Sequence, residues 1–343
     1  MLHLYPVRIS STVGEVNRVP KIVRFHQLGG PEVLRIEESP SQQPGQGEVK
    51  LRVQASGLNR AESLYYHGRY LEQPQLPSRI GYEVAGVVVA VGEGVDSDWM
   101  DKPVATIPGF SQNRYGTLGE EAIVPADAIT EYPPNLTPTQ AASVWMQFMT
   151  ACGALGYIGQ VGPGDVVSIP AASSSVGLAA IQIVRDAGAT AIAVTRTSAK
   201  RAELLALGAH HVIASQEEDY VARIMEITSG SGVWLTFDPV GGPFIQKLAA
   251  ASARNGVIIE YGLLSGEPTP FPVSEALMRG LNIRGYSLRE VPRGEPVKYI
   301  FDRLADGRFI PKIDKTFPFV QTVDAYRYLE SNQQIGKVVI TVP

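Results

Sequence analysis

The sequence predicts an α/β protein in which a doubly wound parallel sheet follows a smaller, β-rich domain. Three observations carry this. From Val166 to Tyr286, apolar runs rich in β-branched residues alternate with stretches of helical period. One run, Val166-Val-Ser-Ile169, leads through a turn of small residues into a helical stretch that carries Gly177. Residues 21–134 read instead as short strands separated by Gly and Pro.

The elements follow in order. Residues 1–20 match no regular element. Arg8, Arg18 and the hydroxyl residues at 10–12 faintly suggest a transit peptide, but Glu15 and the lack of an amphipathic face favour a tail or packed arm. Ile22–Phe25, Val33–Glu37, Val49–Ala55, Val84–Val91, Val104–Ile107 and Glu121–Val124 read as strands of the first domain. Leu136–Gly156 reads as helical, with Thr137-Pro138 at its start.

The alternation then begins. Val166–Ile169 is a buried strand, and from Val176 the apolar residues take a helical period through Ala187. Ala191–Thr195, His211–Ala214, Val233–Asp238, Gly256–Tyr261 and Leu281–Tyr286 are further strands. Helices are expected over Ser198–Gly208, Tyr220–Thr228 and Phe244–Ala253. Repeated alternation of this kind gives a parallel sheet with right-handed crossovers and a ligand crevice at the strand C-termini. After Glu290, helices Lys298–Leu304 and Val323–Glu330 and a strand Gly336–Val342 are expected to return to the first domain.

The turn Ala172-Ser-Ser-Ser-Val-Gly177 stands where a dinucleotide fold meets pyrophosphate with the free N–H groups of a helix. Of G-x-G-x-x-G only the last Gly remains, yet Ala172 and Ser174 are small, and the hydroxyls of Ser173, Ser174 and Ser175 are further donors. About twenty residues on, an NAD-binding fold carries an acid. Here the strand ends Thr195-Arg-Thr-Ser-Ala-Lys200, without a carboxylate. Arg196 and Lys200 suit a 2′-phosphate, and Thr195 can donate to it. Each charge-assisted bond contributes about 1.5–3 kcal/mol, so NADP is the expected cofactor. An ordinary solvated helix start is the alternative for these two cations.

Composition sets limits. The 343 residues suffice for two domains, and 44% hydrophobic with 19% charged residues is ordinary for a globular protein. A net charge of −4 argues against nucleic acid or an anionic membrane as the main partner. The single cysteine, Cys152, excludes an internal disulfide and a cysteine-cluster metal site. It fits a reducing compartment, and a cytoplasmic location is expected.

Six motifs occur in order: Ser56-Gly-Leu-Asn-Arg-Ala-Glu62, His67-Gly-Arg-Tyr70, Gly81-Tyr-Glu-Val-Ala-Gly86, Ala171-Ala-Ser-Ser-Ser-Val-Gly177, Phe237-Asp-Pro-Val-Gly-Gly242 and Gly336-Lys-Val-Val339. In this order and spacing the chain resembles the medium-chain dehydrogenase/reductase superfamily, in its zinc-free quinone oxidoreductase branch. The resemblance covers everything from about Lys21 onward. It implies a GroES-like β substrate domain, a Rossmann cofactor domain, an active-site cleft between them and a homodimer. The domains are then a tail over 1–20, the GroES-like domain over 21–146, the Rossmann domain over 147–290 and a return to the substrate domain over 291–343.

Zinc-bearing relatives need thiolate and imidazole ligands at the cleft. At the matching positions this chain has Asn59 and Tyr82, and no metal site is expected. Without a Lewis acid, hydride delivery to an already electrophilic acceptor, a quinone or an α,β-unsaturated carbonyl, is favoured over alcohol oxidation. The resemblance makes Tyr70 the expected donor to the acceptor oxygen. Asn59 can bond the substrate carbonyl or the nicotinamide ribose, or simply stabilise its own turn.

The resemblance also implies cofactor contacts from Thr150, from Val176 and Gly177 in the turn, from Val240 and Gly241, and from Tyr261, Gly262 and Leu263. Lys337 either approaches from the substrate side or is a surface lysine. Ala214-Ser215 departs from the Asn-Tyr pair of many NADPH quinone reductases. Three functions follow: an NADPH-dependent quinone or enone reductase, an enoyl-thioester reductase of fatty-acid or polyketide type, and a nucleotide-binding protein with little catalysis.

Overall fold

The computed structural model describes residues 18–343. The expected tail or arm falls mainly on residues 1–17 and lies outside the described residues. Arg18 pairs with Glu120 at 2.6 Å, which fixes the chain at the edge of the first domain.

The first domain is organised on the strand Glu48–Gly57. Val49, Leu51, Val53 and Ala55 are buried along it, while Arg52 is exposed. It pairs antiparallel with Glu83–Val91, Glu121–Pro125 and Lys337–Thr341, inside a seven-stranded sheet that also holds Pro103–Thr106, Ile129–Glu131 and Ile313–Pro318. The C-terminal strand thus lies next to the first long strand of the domain. A smaller three-stranded sheet contains Lys21–Phe25 and Arg35–Glu38.

The second domain is a six-stranded parallel sheet in the order His211–Ala214, Thr190–Thr195, Val166–Pro170, Val233–Asp238, Ser252–Glu260, Asn282–Gly285. From Val166–Pro170 the chain winds outward in one direction, then returns to start again at Val233–Asp238. The topological switch therefore lies between these two neighbours, at the carboxyl ends where ligands bind. The apolar runs become strands because both faces are covered: Val167, Ile169, Ala191, Ala193, Leu235 and Phe237 are fully buried.

Several expectations are corrected. The helical stretch 136–156 is broken into Pro138–Ala141 and Trp145–Cys152, followed by a π-type turn Gly153–Ile158. At the break the Ser143 hydroxyl bonds back to the Gln140 carbonyl at 2.7 Å, competing with helix continuation. Thr150 therefore sits late in the second segment. The strand Ser252–Glu260 is interior to the sheet, and the open edge on that side is Asn282–Gly285.

The helix Gly294–Ala305 does not return to the substrate domain. Ile300, Leu304 and Phe309 bury their side chains in the core of the parallel sheet, and Phe309 stacks on Phe148 at 5.1 Å. The crossing back comes later, at the strand Ile313–Pro318. The helix Val273–Arg279 was not anticipated. None of its residues is buried, so no core-facing apolar stripe marks it in the sequence.

Candidate active site

Between the strand Val166–Pro170 and the helix Ser175–Asp186 the backbone turns through Ala171 at φ +50°. Ser174 caps the helix, its hydroxyl accepting from the Gly177 N–H at 3.1 Å. A Cβ on Gly177 would come within 2.6 Å of the Ala172 carbonyl oxygen. The last glycine of the motif is thus required by close packing of helix on strand. The helix opens with Ser175 and Val176, whose N–H groups belong to the set with no intrahelical partner. Such free N–H groups are the donors that helix starts offer to anions.

The turn is tied to the other domain. The Ser173 carbonyl accepts from the Gly336 N–H at 3.0 Å. Lys200 donates to the Ser173 hydroxyl at 3.2 Å and to the carbonyls of Asn332 and Gln334 at 3.0 and 2.8 Å. Burial and the neighbouring Arg196 charge lower the Lys200 pKa. Arg196 itself is exposed at the end of the strand, and Thr195 turns its hydroxyl to the Thr197 carbonyl at 2.8 Å. The strand end itself bears no carboxylate, but one reaches it from another loop. Glu217, from the loop after the neighbouring strand, accepts the Ser198 N–H at 3.1 Å.

On the other side of the switch, Asp238 is fully buried and accepts from the N–H groups of Val240 and Gly241 at 2.9 and 3.0 Å. Those bonds shape the turn in which Gly241 takes φ +63°. Glu260 is the register partner of Asp238 on the adjacent strand. Burial, then the Asp238 charge, pushes Glu260 up to about 8, and burial also raises Asp238. Tyr261 stacks on Phe237 at 3.9 Å with its hydroxyl buried, while Gly262 and the exposed Leu263 continue into the loop.

A raised folded-state pKa means that the native protein holds a proton which the unfolded chain has released. Glu260 thus contributes stability that is full below its unfolded value, near 4.5, and is lost as pH rises through about 8. The thermal midpoint is expected to fall between about pH 5 and pH 8, and Glu260→Gln, which keeps the neutral form, to flatten that part of the curve. Equal pH slopes in the two proteins would rule out this assignment.

Where the strands Glu48–Gly57, Glu83–Val91 and Lys337–Thr341 meet, three distant residues come together. Lys337 is fully buried, so it is not a surface lysine. Its ammonium lies 2.6 Å from the Asn59 Oδ1 and 2.6 Å from a Glu83 carboxylate oxygen. The Asn59 amide nitrogen donates to the Gly57 carbonyl at 3.1 Å and to Glu62 at 3.2 Å. Asn59 also begins the helix Arg60–Tyr66, with its N–H bonded to Glu62 at 2.9 Å in a capping box. In this arrangement Asn59 has no free group to offer a substrate. Glu62 takes further bonds from the Tyr82 N–H and the Tyr326 hydroxyl, at 3.1 and 2.8 Å, and burial raises its pKa.

Tyr70 is half-buried, its ring 6.3 Å from that of Tyr82, and its hydroxyl is directed toward the Tyr82 side chain. Burial raises its pKa, partly offset by Tyr82 and by the positive charge of Arg289. Arg289, on the parallel-sheet side of the cleft, has no signal in the sequence. The neighbouring Tyr65, Tyr66 and His67 are tied elsewhere: Tyr65 to Ser78, Tyr66 and His67 to Glu330. Thr150 spends its hydroxyl on the Met146 carbonyl. Among the described residues no group of three or more His, Cys, Asp or Glu is placed to hold a metal ion, and no helix is long and apolar enough to cross a membrane.

A β-rich domain joined to a dinucleotide-type parallel sheet defines the class of two-domain pyridine-nucleotide oxidoreductases. Residues 45–134 match the family model of the alcohol dehydrogenase GroES-like domain, and residues 175–305 that of zinc-binding dehydrogenases. A 2-haloacrylate reductase of a Burkholderia species is 30% identical over 334 residues, covering 92% of this chain and 97% of that protein. Quinone oxidoreductase 1 of Escherichia coli is 28% identical, covering 92% and 97%. The crystal structure of an Escherichia coli quinone oxidoreductase complexed with NADPH superposes with a TM-score of 0.86 at 27% identity, covering 94% and 99%. The chain belongs to the medium-chain dehydrogenase/reductase superfamily, in its quinone oxidoreductase-like branch.

Proposed function

We propose that this protein is a zinc-independent, NADP-dependent reductase of quinones or α,β-unsaturated carbonyls. The observation that carries the reading is a metal-ligand position filled by a buried ion pair, with the Tyr70 ring 6.3 Å from Tyr82 at the second such position. The residues there do not fit zinc. Zinc needs thiolate or imidazole lone pairs, whereas the oxygens of Asn59 and Glu83 already accept from the Lys337 ammonium. The name of the Burkholderia relative, a reductase of an activated alkene, supports an acceptor of that kind.

The residues present suit a nicotinamide dinucleotide. The capped helix start at Ser174–Gly177 would hold the pyrophosphate, Arg196 the 2′-phosphate, and the turns Val240–Gly241 and Tyr261–Leu263 the nicotinamide end. A reduced nicotinamide bound there would supply a hydride to the acceptor carbon, so that negative charge would grow on the acceptor oxygen. Tyr70, kept protonated by burial, donates its O–H to that oxygen. Asn59, Glu62 and Lys337 act as positioning residues that fix the helix Arg60–Tyr66 and hence the loop bearing Tyr70.

The test is cofactor oxidation with NADPH and NADH against an ortho-quinone, a simple enone, an enoyl-thioester and an aldehyde. Turnover with NADPH on the quinone or enone supports the reading. Cofactor binding without turnover on any of them defeats it.

The assembly we propose is a homodimer through the open edge Asn282–Gly285. Phe271, Val273, Leu277 and Met278, on the helix Val273–Arg279 and the loop before it, are 62%, 55%, 79% and 65% exposed, an apolar surface just ahead of a sheet edge that is open on one side. Sedimentation velocity at micromolar concentration should give a dimer, and Leu277→Glu a monomer. A wild-type monomer would remove the proposal.

A further inference from the structure

The end of the strand Thr190–Thr195 receives the adenosine ribose in a dinucleotide fold. Three charged groups stand there with unequal freedom. The ammonium of Lys200 has three protons, and three oxygens already take them: the Ser173 hydroxyl and the carbonyls of Asn332 and Gln334. Binding an anion through Lys200 therefore means giving up a bond that ties the phosphate turn to the C-terminal segment. Arg196 is exposed and, among the described residues, its guanidinium makes no ion pair or hydrogen bond. Of the two cations here it is the one left free among the described residues.

Glu217 opposes it. The loop after His211–Ala214 is clamped to the strand end by consecutive bonds: Ser215 N–H to Thr195 carbonyl at 2.8 Å, then Gln216 N–H to Arg196 carbonyl at 2.9 Å. One residue further, the Glu217 carboxylate takes the Ser198 N–H at 3.1 Å. A negative charge is thus fixed two residues beyond Arg196, on a backbone donor of the strand-end turn. In a dinucleotide fold that prefers the unphosphorylated ribose, an acid at this strand end does such work. Here it comes from a different loop.

We infer that Glu217 is a specificity-determining residue that limits discrimination in favour of the 2′-phosphate, so that the preference for NADPH over NADH is moderated, with Arg196 and Glu217 setting the ratio. The inference rests on the reading that the Ser174–Gly177 turn holds a nicotinamide dinucleotide. Repulsion between Glu217 and a 2′-phosphate offsets part of what Arg196 contributes, and salt screens both effects.

The experiment is equilibrium binding of NADPH and of NADH, followed by nicotinamide fluorescence without any acceptor. It compares wild type, Glu217→Gln, Glu217→Ala and Arg196→Ala. The Gln variant keeps an oxygen for the Ser198 N–H, and its thermal midpoint checks the fold. The ratio of NADPH to NADH affinity should rise about 10-fold in both Glu217 variants at low salt and shrink toward wild type at high salt. In Arg196→Ala it should fall. An unchanged or lower ratio in the Glu217 variants overturns the inference while leaving the dinucleotide reading intact. If the wild type binds neither nucleotide, the reading fails and the inference fails with it.

Discussion

Replacing Tyr70 by Phe is expected to lower kcat about 10²–10³-fold on the preferred acceptor, with cofactor affinity unchanged. The substitution removes one hydroxyl and keeps the ring that packs near Tyr82. The loss falls on kcat because the hydrogen bond strengthens only as charge gathers on the acceptor oxygen. Burial raises the Tyr70 pKa, so the hydroxyl remains a donor through the whole neutral and mildly alkaline range. The wild-type rate should therefore show no alkaline fall from this group below about pH 10. Stopped-flow cofactor oxidation measures both statements. A Phe variant with full kcat would place the proton donor elsewhere.

The second large effect is on stability. Lys337→Met should destabilise the protein by about 3–5 kcal/mol, because it leaves a carboxylate buried without its counter-charge. Both side chains of the Lys337–Glu83 pair are fully inaccessible, so water cannot replace the lost ammonium. The same change frees the Asn59 oxygen and loosens the cap of the helix Arg60–Tyr66. Removing the charge on both sides, in Lys337→Met with Glu83→Gln, should recover most of the loss, since a neutral pair incurs far less desolvation. Urea unfolding reads the difference. A single variant within about 1 kcal/mol of wild type, a loss typical of exposed pairs, would show that the pair is not the buried knot described.

Much of the architecture is local and was legible. The parallel strands announce themselves by β-branched runs, and the phosphate turn by small residues between a strand and a helix. Legibility fails where the local signal is silent. The helix Val273–Arg279 buries no residue and so has no stripe to read. The helix Gly294–Ala305 has an amphipathic pattern, but the pattern does not say which domain its buried face meets. Packing of Ile300 and Leu304 against the parallel-sheet core decides that.

The sequence by itself determined the two-domain class, the position of the small-residue turn between strand and helix, and the absence of thiolate and imidazole side chains at positions 59 and 82. These depend on residue type and short spacing. Tertiary structure alone decided which distant residues meet, because strand register carries that information. Gly57 pairs with Glu83 on one side and with Val339 on the other, and so Asn59, Glu83 and Lys337 converge on one point. Asp238 lies opposite Glu260, which turns two separate carboxyls into a proton-holding pair. Thr195 lies opposite Ala214, which carries Glu217 to the cofactor end of a strand that bears no acid of its own. A shift of one residue in any of these ladders would send the side chains to opposite faces and dissolve the site.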